Sequence, residues 1–278
     1  MSSTPAQNEA KAFRIIGIVP RFFRSIGAYG VRWVDNFGAA TIFFLMSLAK
    51  IFQRHQLANI FQQIYFIGAR TMGIIVLVAA FTGMVMGLQL HYTLSKFGSE
   101  AALGSAIGLS LVRELGPVLT AIMITARAGS AMTAEIGIQR ITEQIDALYT
   151  MQIDPLAYIV SPRVAAALLS FPLLTALFDV VGIAGGYLSG VMLTGADAGA
   201  YYERLYDSVA WIDVLGGFIK AFVFSAIVVT DCCFHGFYTH LQPEGHGARG
   251  VSLATTRAVV QSCVLILVAD YLMTSFLL

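Results

Sequence analysis

Apolar residues dominate five long windows of the chain, and short polar stretches separate these windows. The windows cover residues 64–90, 106–134, 156–193, 212–236 and 256–278. A bilayer core about 30 Å thick needs roughly 20 apolar residues of helix to cross it. None of the windows alternates strictly between apolar and polar residues, as strands of a membrane β-barrel do. The pattern predicts an all-α integral membrane protein with five transmembrane helices.

A shorter apolar run, residues 37–48, precedes the first window. It is too short to cross a bilayer upright, and arginines and aromatic residues flank it. We interpret residues 1–60 as a polar tail and an N-terminal helix that lies in the membrane interface, with its basic side chains reaching the headgroups. Residues 61–278 then form the five-span domain. A sixth, tilted span is the alternative for the short run.

Composition agrees with a membrane protein, since 57% of the residues are hydrophobic and only 12% are charged. If the N-terminus is cytoplasmic, 12 of the 17 lysines and arginines fall in cytoplasmic segments and two in the opposite loops. The positive-inside rule therefore predicts a cytoplasmic N-terminus and a C-terminus on the other side. A net charge of +1 gives no basic patch for a nucleic acid.

The stretch EIGIQRITEQIDALYTMQIDP, between the second and third spans, is charged and amphipathic. An apolar stripe at spacings of three and four faces a polar side. The stripe consists of Ile138, Ile141, Ile145 and Leu148, and the polar side of Arg140, Glu143, Gln144 and Asp146. We expect a short cytoplasmic surface helix over about 138–150, closed by Asp154-Pro155. It either rests on the membrane or on the protein itself, or it is a coupling helix that transmits movement of a soluble motor to the two adjoining spans.

The second span contains Arg113, Thr120 and Arg127 at intervals of seven, which places them along one helix face, and Glu114 follows Arg113. A charge in the hydrocarbon costs roughly 2.5–3.5 kcal/mol, so these groups should face a cavity or partners. We hypothesise that Arg113, Glu114 and Thr120 line a cavity for a lipid headgroup phosphate. The alternative is an ion-pair network between helices, which we favour for Arg127. Pro117 predicts a kink or widened turn nearby.

Apolar side chains on the first span supply a candidate wall for acyl chains. These residues are Leu77, Phe81, Met84 and Leu88. Ordinary helix packing is the alternative, because stripes of Leu and Met are common in helix contacts.

Signatures of nucleotide-binding and hydrolytic enzymes are missing from the sequence. It contains no G-x-x-x-x-G-K-[S/T], no H-E-x-x-H and no G-x-S-x-G. We therefore expect no catalytic residues, no metal site and no cofactor in this chain. If ATP drives the protein, ATP and Mg must bind to a separate partner ATPase.

Three segments resemble the signature regions of the MlaE family of permeases. They are RELGPVLTAIMITARAGSAMTAEIGIQRITEQIDALYTMQIDPLAYIVSPRVAA at 113–166, GFIKAFVFSAIVV at 217–229 and GARGVSLATTRAVVQS at 247–262. The resemblance covers nearly the whole chain from about Phe61. It implies a homodimeric permease of an ATP-binding cassette (ABC) transporter in a bacterial inner membrane. Such a transporter moves phospholipid to and from periplasmic carriers and maintains the lipid asymmetry of the outer membrane.

The same resemblance implies partners and site residues. The partners are a cytoplasmic ABC ATPase, a small cytoplasmic regulatory subunit and a ring of MCE-domain proteins in the periplasm. The Arg113-Glu114 pair is expected beside bound lipid. The segment that docks on the ATPase comprises Glu135, Ile138, Arg140, Ile141, Glu143, Gln144, Ile145, Asp146 and Leu148.

Two other functions remain open. Asp179, Asp231 and Asp270 lie in or near spans, and a proton-driven carrier for an amphiphilic substrate would use such acids. Hydrogen-bonded helix contacts or end-of-span positions are the explanation we favour for these acids. A non-transporting scaffold that anchors soluble partners would explain the cytoplasmic helix, but not the charges of the second span.

Overall fold

A computed structural model describes residues 35, 38–51, 57–241 and 247–277. These residues form helices and short connections, and no strand occurs in those ranges, so the all-α prediction is confirmed. The chain divides into two compact units, residues 1–43 and 44–278. In the first unit, the described residues are Asp35 and 38–43, which are helical. The predicted polar tail up to residue 34 lies outside the described residues.

The helices are numbered here in chain order. They are α1 (Gly38–Ala49), α2 (Leu57–Lys96), α3 (Glu100–Ile141), α4 (Gln144–Thr150), α5 (Leu156–Leu193), α6 (Ala198–Ser208), α7 (Trp211–Phe237) and α8 (Gly247–Leu277). Five of them, α2, α3, α5, α7 and α8, are long and apolar enough to cross a membrane. All five predicted spans are confirmed, with ends extended by up to about ten residues. Helix α1 is too short to cross upright, at about 1.5 Å per residue.

Close helix contacts join α2 to α5 through small residues. A Cβ atom on Gly83 would lie 1.9 Å from the carbonyl oxygen of Gly182, and one on Gly87 would lie 2.2 Å from Ser189 Oγ. Ser189 Oγ donates a hydrogen bond to the Met84 carbonyl over 2.7 Å. Small residues allow such backbone approach between membrane helices.

Successive spans place the connections on alternate sides. Helix α4 and the turn Thr239–Leu241 lie on one side, here called the α4 side. Helix α6 lies on the other, where Asp197 caps it by accepting the Gly199 N–H over 2.7 Å. The buried Tyr201 fixes α6 to α5, because its hydroxyl donates to the Ile183 carbonyl over 3.0 Å.

Candidate functional site

Arg113 and Glu114 lie in a π-helical turn of α3, Leu111–Leu115, which directly precedes Gly116 and Pro117. Pro117 has no backbone N–H and cannot donate to the carbonyl of Arg113, four residues earlier. Lys220 of α7 contacts this carbonyl instead, and its Nζ donates to the oxygen over 2.9 Å. The widened turn predicted at Pro117 is confirmed, and it exposes a backbone acceptor that helps to bind a lysine from the neighbouring helix.

Lys220 is the centre of a charge cluster between α3, α7 and α8. Its Nζ lies 2.7 Å from Glu114 Oε2, 2.7 Å from Thr274 Oγ1 and 2.9 Å from Asp270 Oδ1. Thr274 Oγ1 also donates to Glu114 Oε1 over 3.0 Å. The Lys220 side chain is only 3% exposed, so these acceptors replace the water that its ammonium loses. The cluster connects three helices through one buried cation.

Arg113 pairs with Asp213 in the first turn of α7. Its Nε and Nη2 lie 2.8 Å and 2.7 Å from Asp213 Oδ1. Asp213 Oδ2 accepts the backbone N–H of Ala210 over 3.0 Å, a contact that caps α7. Asp213 is buried and held from both sides. It therefore fixes the orientation of the Arg113 guanidinium.

A cavity of about 250 Å³ opens between these groups. Its lining residues are Arg113, Glu114, Ile212, Asp213, Gly216, Gly217, Lys220 and Thr274. Helices α3 and α7 approach closely here, since a Cβ atom on Gly217 would lie 2.6 Å from the Val112 carbonyl oxygen. The cavity presents cationic donors beside a carboxylate acceptor within otherwise apolar helices. This arrangement suits the polar end of an amphiphile.

The other predicted ligand-binding residues lie outside this lining. Thr120 is fully buried, and its Oγ1 has no hydrogen-bond partner among the residues that the structure describes. Leu77, Phe81 and Leu88 are exposed on α2, and Met84 is partly buried there. Contact between these residues and a ligand stays a prediction.

Arg127 joins α3 to α2. Its Nη1 donates to the Phe66 carbonyl over 2.5 Å and to Thr71 Oγ1 over 3.1 Å, and its guanidinium lies 5.0 Å from the centre of the Phe66 ring. These contacts agree with the structural role favoured for Arg127 in the sequence, although the partners are neutral groups rather than acids.

Six of the eight cavity residues were not predicted as site residues, and three of those six carry polar side chains: Asp213, Lys220 and Thr274. Lys220 offered a usable signal, because a lysine within an apolar window requires partners. Asp213 lies at a helix end, and Thr274 is an ordinary hydroxyl residue in a span. Neither has a local pattern that points to Arg113 or Glu114, which lie at least 100 residues away.

The predicted surface helix over 138–150 is two helices in the structure. Helix α3 continues to Ile141, and α4 begins at Gln144 after Glu143 adopts a left-handed backbone with φ of 59°. Ile138 and Ile141 therefore lie at the end of the second span. Ile145 is fully buried against the protein itself and is not on an outward surface. Glu143, Gln144 and Asp146 are exposed, and Leu148 is partly buried.

Ion pairs fix both ends of this region. Glu135 Oε2 lies 3.0 Å from Nη2 of Arg163, a buried residue of α5. Arg140 Nη1 donates to Asp146 Oδ1 over 2.7 Å, and Arg140 Nε donates to His240 Nδ1 over 2.9 Å. Arg140 thus connects the end of α3 to α4 and to the turn that follows α7.

The three span acids differ in their surroundings. Asp270 belongs to the Lys220 cluster, and Asp231 Oδ2 accepts from Ser262 Oγ over 2.8 Å. Asp179 lies against Gly116, and its buried Oδ1 has no hydrogen-bond partner in the described ranges. Two of the three acids therefore have helix-joining contacts, and a proton-carrying role stays a prediction.

Comparisons with known proteins show which family the chain belongs to. Residues 60–276 match the family described as Permease MlaE. A probable ABC transporter permease protein of Rickettsia conorii is 38% identical over 251 residues, which are 90% of this chain and 95% of that protein. The intermembrane phospholipid transport system permease protein MlaE of Haemophilus influenzae is 38% identical over 257 residues, 91% of this chain and 97% of that protein. A probable ABC transporter permease protein of Synechocystis is 37% identical over 216 residues, 78% and 80% of the two chains.

The match covers all or nearly all of each of the five long helices and includes every residue of the charged cavity. The protein is a multi-pass membrane protein and an ABC transporter permease subunit, and it belongs to the MlaE permease family.

Proposed function

We propose that the chain is the permease through which an ABC transporter moves phospholipids between a bacterial inner membrane and periplasmic carriers. The charged cavity beside Arg113 supports this proposal most directly. A phospholipid has a charged headgroup with a phosphate and has apolar chains, and the cavity places Arg113 and Glu114 within helices whose other surfaces are apolar. The Haemophilus relative is named for phospholipid transport. Maintenance of outer-membrane lipid asymmetry follows as the cellular role.

The energy source in this proposal is ATP bound with Mg by a separate ATPase subunit. The α4 side is the docking surface, because it presents a rigid helix between two spans with exposed polar and apolar groups. A movement of α4 caused by the ATPase would be transmitted directly to α3 through the Arg140–Asp146 ion pair. With the N-terminus cytoplasmic, the positive-inside rule places α4 in the cytoplasm and the C-terminus in the periplasm.

The remaining partners in the proposal follow from the family. Two copies of the chain form the permeation path, with phospholipid between them. An MCE-domain ring protein binds on the periplasmic side, and a small regulatory subunit binds in the cytoplasm. Two symmetry-related copies give the permeation path two equivalent halves. A single chain cannot do this, because five spans do not divide into two equal halves.

A reconstitution experiment tests this function. The chain is purified with its ATPase in proteoliposomes, and transfer of labelled phospholipid to an acceptor carrier is measured with and without ATP. We expect transfer that requires ATP and is insensitive to collapse of the proton gradient. Transfer driven by a proton gradient without nucleotide, and lost when Asp179, Asp231 and Asp270 are each changed to Asn, would instead support the proton-driven carrier. Lipid-independent binding of partners alone would support the scaffold.

A further inference from the structure

The charges around the cavity are unequal in number. Two cations, Arg113 and Lys220, meet three carboxylates, Glu114, Asp213 and Asp270. The interaction energy between charges is large in a site of low dielectric constant, so one surplus carboxylate favours a bound cation over a bound anion. A ligand with only negative charge would add to this surplus.

Donor counting at Lys220 leads to the same conclusion. An ammonium has three N–H donors, but four acceptors lie within 2.9 Å of Lys220 Nζ: the Arg113 carbonyl, Glu114 Oε2, Thr274 Oγ1 and Asp270 Oδ1. Three of these contacts have hydrogen-bond geometry. Asp270 Oδ1 is near enough for an ion pair, yet it is buried and has no hydrogen bond to a described residue. The cluster therefore has one acceptor more than its own donors can satisfy.

Two groups in the cavity remain accessible to a ligand. The side chain of Arg113 is 42% exposed and that of Glu114 is 39% exposed, whereas Asp213 and Lys220 are buried. Arg113 uses Nε and Nη2 for Asp213, and Nη1 has no partner among the described residues. A guanidinium donor and a carboxylate acceptor thus stand side by side on consecutive residues. A phosphate and an ammonium joined by a short linker match this pair.

We infer that the cavity selects a zwitterionic headgroup, in which a phosphate binds Arg113 and a primary ammonium binds Glu114, over an anionic headgroup without an amine. The inference rests on the proposed lipid-transport function and specifies its substrate class. The zwitterion leaves the cavity's net charge unchanged, and its ammonium contacts Glu114, the accessible carboxylate of the cavity lining. An anionic glycerol headgroup brings a second uncompensated negative charge and no donor of comparable strength.

Competition between two lipids tests the selection. The purified protein is equilibrated in detergent micelles that contain equal amounts of phosphatidylethanolamine and phosphatidylglycerol, and bound lipid is quantified by mass spectrometry. We expect phosphatidylethanolamine to be enriched about tenfold, the ratio for one charge-assisted contact of about 1.4 kcal/mol. Glu114→Gln should reduce the enrichment severalfold while total bound lipid persists. Glu203→Gln, which removes an exposed acid on α6, is the matched control and should keep the wild-type ratio.

The outcomes distinguish failure of the headgroup selection from failure of the proposed lipid-transport function. Bound lipid without preference, or with preference for phosphatidylglycerol, overturns the selection and leaves lipid transport standing. An absence of bound lipid removes the proposed function itself. If Glu114→Gln does not fold, Asp270→Asn removes the same unit of charge from the other side of Lys220 and must reduce the enrichment. Added soluble phosphoethanolamine should leave the lipid bound. If it displaces the lipid, the cavity binds the free headgroup ester, and the assignment of a lipid as ligand is overturned.

Discussion

Lys220 is the residue on which the polar cavity depends most. Removing an ammonium from water costs several kcal/mol, and only a well-placed set of acceptors offsets this cost. Glu114, Asp270, Thr274 and the carbonyl freed by Pro117 provide such a set. The loss of Lys220 would leave two carboxylates close together with no cation between them. We therefore expect the cluster to stabilise the helix bundle as well as line the cavity.

Lys220→Met should lower the free energy of unfolding by about 3–5 kcal/mol, because it removes the buried cation that holds the partly exposed carboxylates of Glu114 and Asp270 together. Lys50→Met is the matched control. Lys50 pairs with Asp154, but the two side chains are 26% and 41% exposed, far more than the 3% of Lys220, so its loss should cost about 1 kcal/mol or less. Unfolding of both variants by sodium dodecyl sulfate, followed by tryptophan fluorescence, gives the comparison. Equal losses would mean that the Lys220 cluster contributes no more than a surface pair.

Sequence reasoning identified part of this site, for a physical reason. Arg113 and Glu114 were predictable, because a charge in an apolar window has a known cost and must have partners. Their partners were not predictable, because Asp213 and Thr274 come from other helices and resemble ordinary helix-end or span residues locally. Which faces of α3, α7 and α8 meet is decided by packing, including the close approach at Gly217. A single sequence contains no direct record of that pairing.

Among the elements, the junction between α3 and α4 shows where periodicity misleads. The spacing of Ile138, Ile141, Ile145 and Leu148 continues through the break, so the pattern predicts one helix. Glu143 makes the break with a left-handed backbone, although glycine or asparagine usually occupies such positions. The five spans were predictable in contrast, because their length and apolarity far exceed what a soluble helix requires.

The junction should respond to pH through His240. Burial and the neighbouring Arg140 lower the pKa of His240 below its ordinary 6.5, against the opposing effects of Asp146 and a backbone contact at Phe237. The imidazole accepts from Arg140 only when Nδ1 carries no proton. Because the pKa of His240 is lower in the folded than in the unfolded protein, protonation of the imidazole favours unfolding. The stability that this contact contributes is therefore fully present above pH 6.5 and is lost as the pH falls below that value.

Hydrogen exchange at the amides of α4 measures this response. Exchange, corrected for its intrinsic pH dependence, should accelerate severalfold below pH 6.5 in the wild-type protein. His240→Gln keeps an acceptor that does not titrate, and it should remove the acceleration. His91→Gln, on α2, should leave it intact. An acceleration that survives in His240→Gln would assign the response to another group.

At the scale of the whole molecule, α3 connects the two candidate functional regions. Arg113 and Arg140 lie 27 residues apart on this helix, about 40 Å at 1.5 Å per residue. Two π-helical turns, Leu111–Leu115 and Thr125–Gly129, interrupt the α-helix along this path. Such turns are frequent at functional sites and provide places where a helix changes its register. Movement at α4 would therefore reach the cavity through α3 and α7.

Docking of the ATPase on the α4 side gives the last prediction. Ile145 is fully buried, so Ile145→Glu should disrupt the permease itself and cannot report on docking alone. Tyr149 is 55% exposed on α4, and Tyr149→Glu places a charge on the outward surface without removing core packing. We expect it to weaken ATPase association at least tenfold, about 1.4 kcal/mol, while unfolding stays within about 0.5 kcal/mol of wild type. Tyr206→Glu, on α6 at the opposite side, should retain the ATPase. Quantitative co-purification of the ATPase and thermal unfolding are measured for the three variants. Loss of the ATPase from Tyr206→Glu but not from Tyr149→Glu would contradict the prediction and place the ATPase on the α6 side.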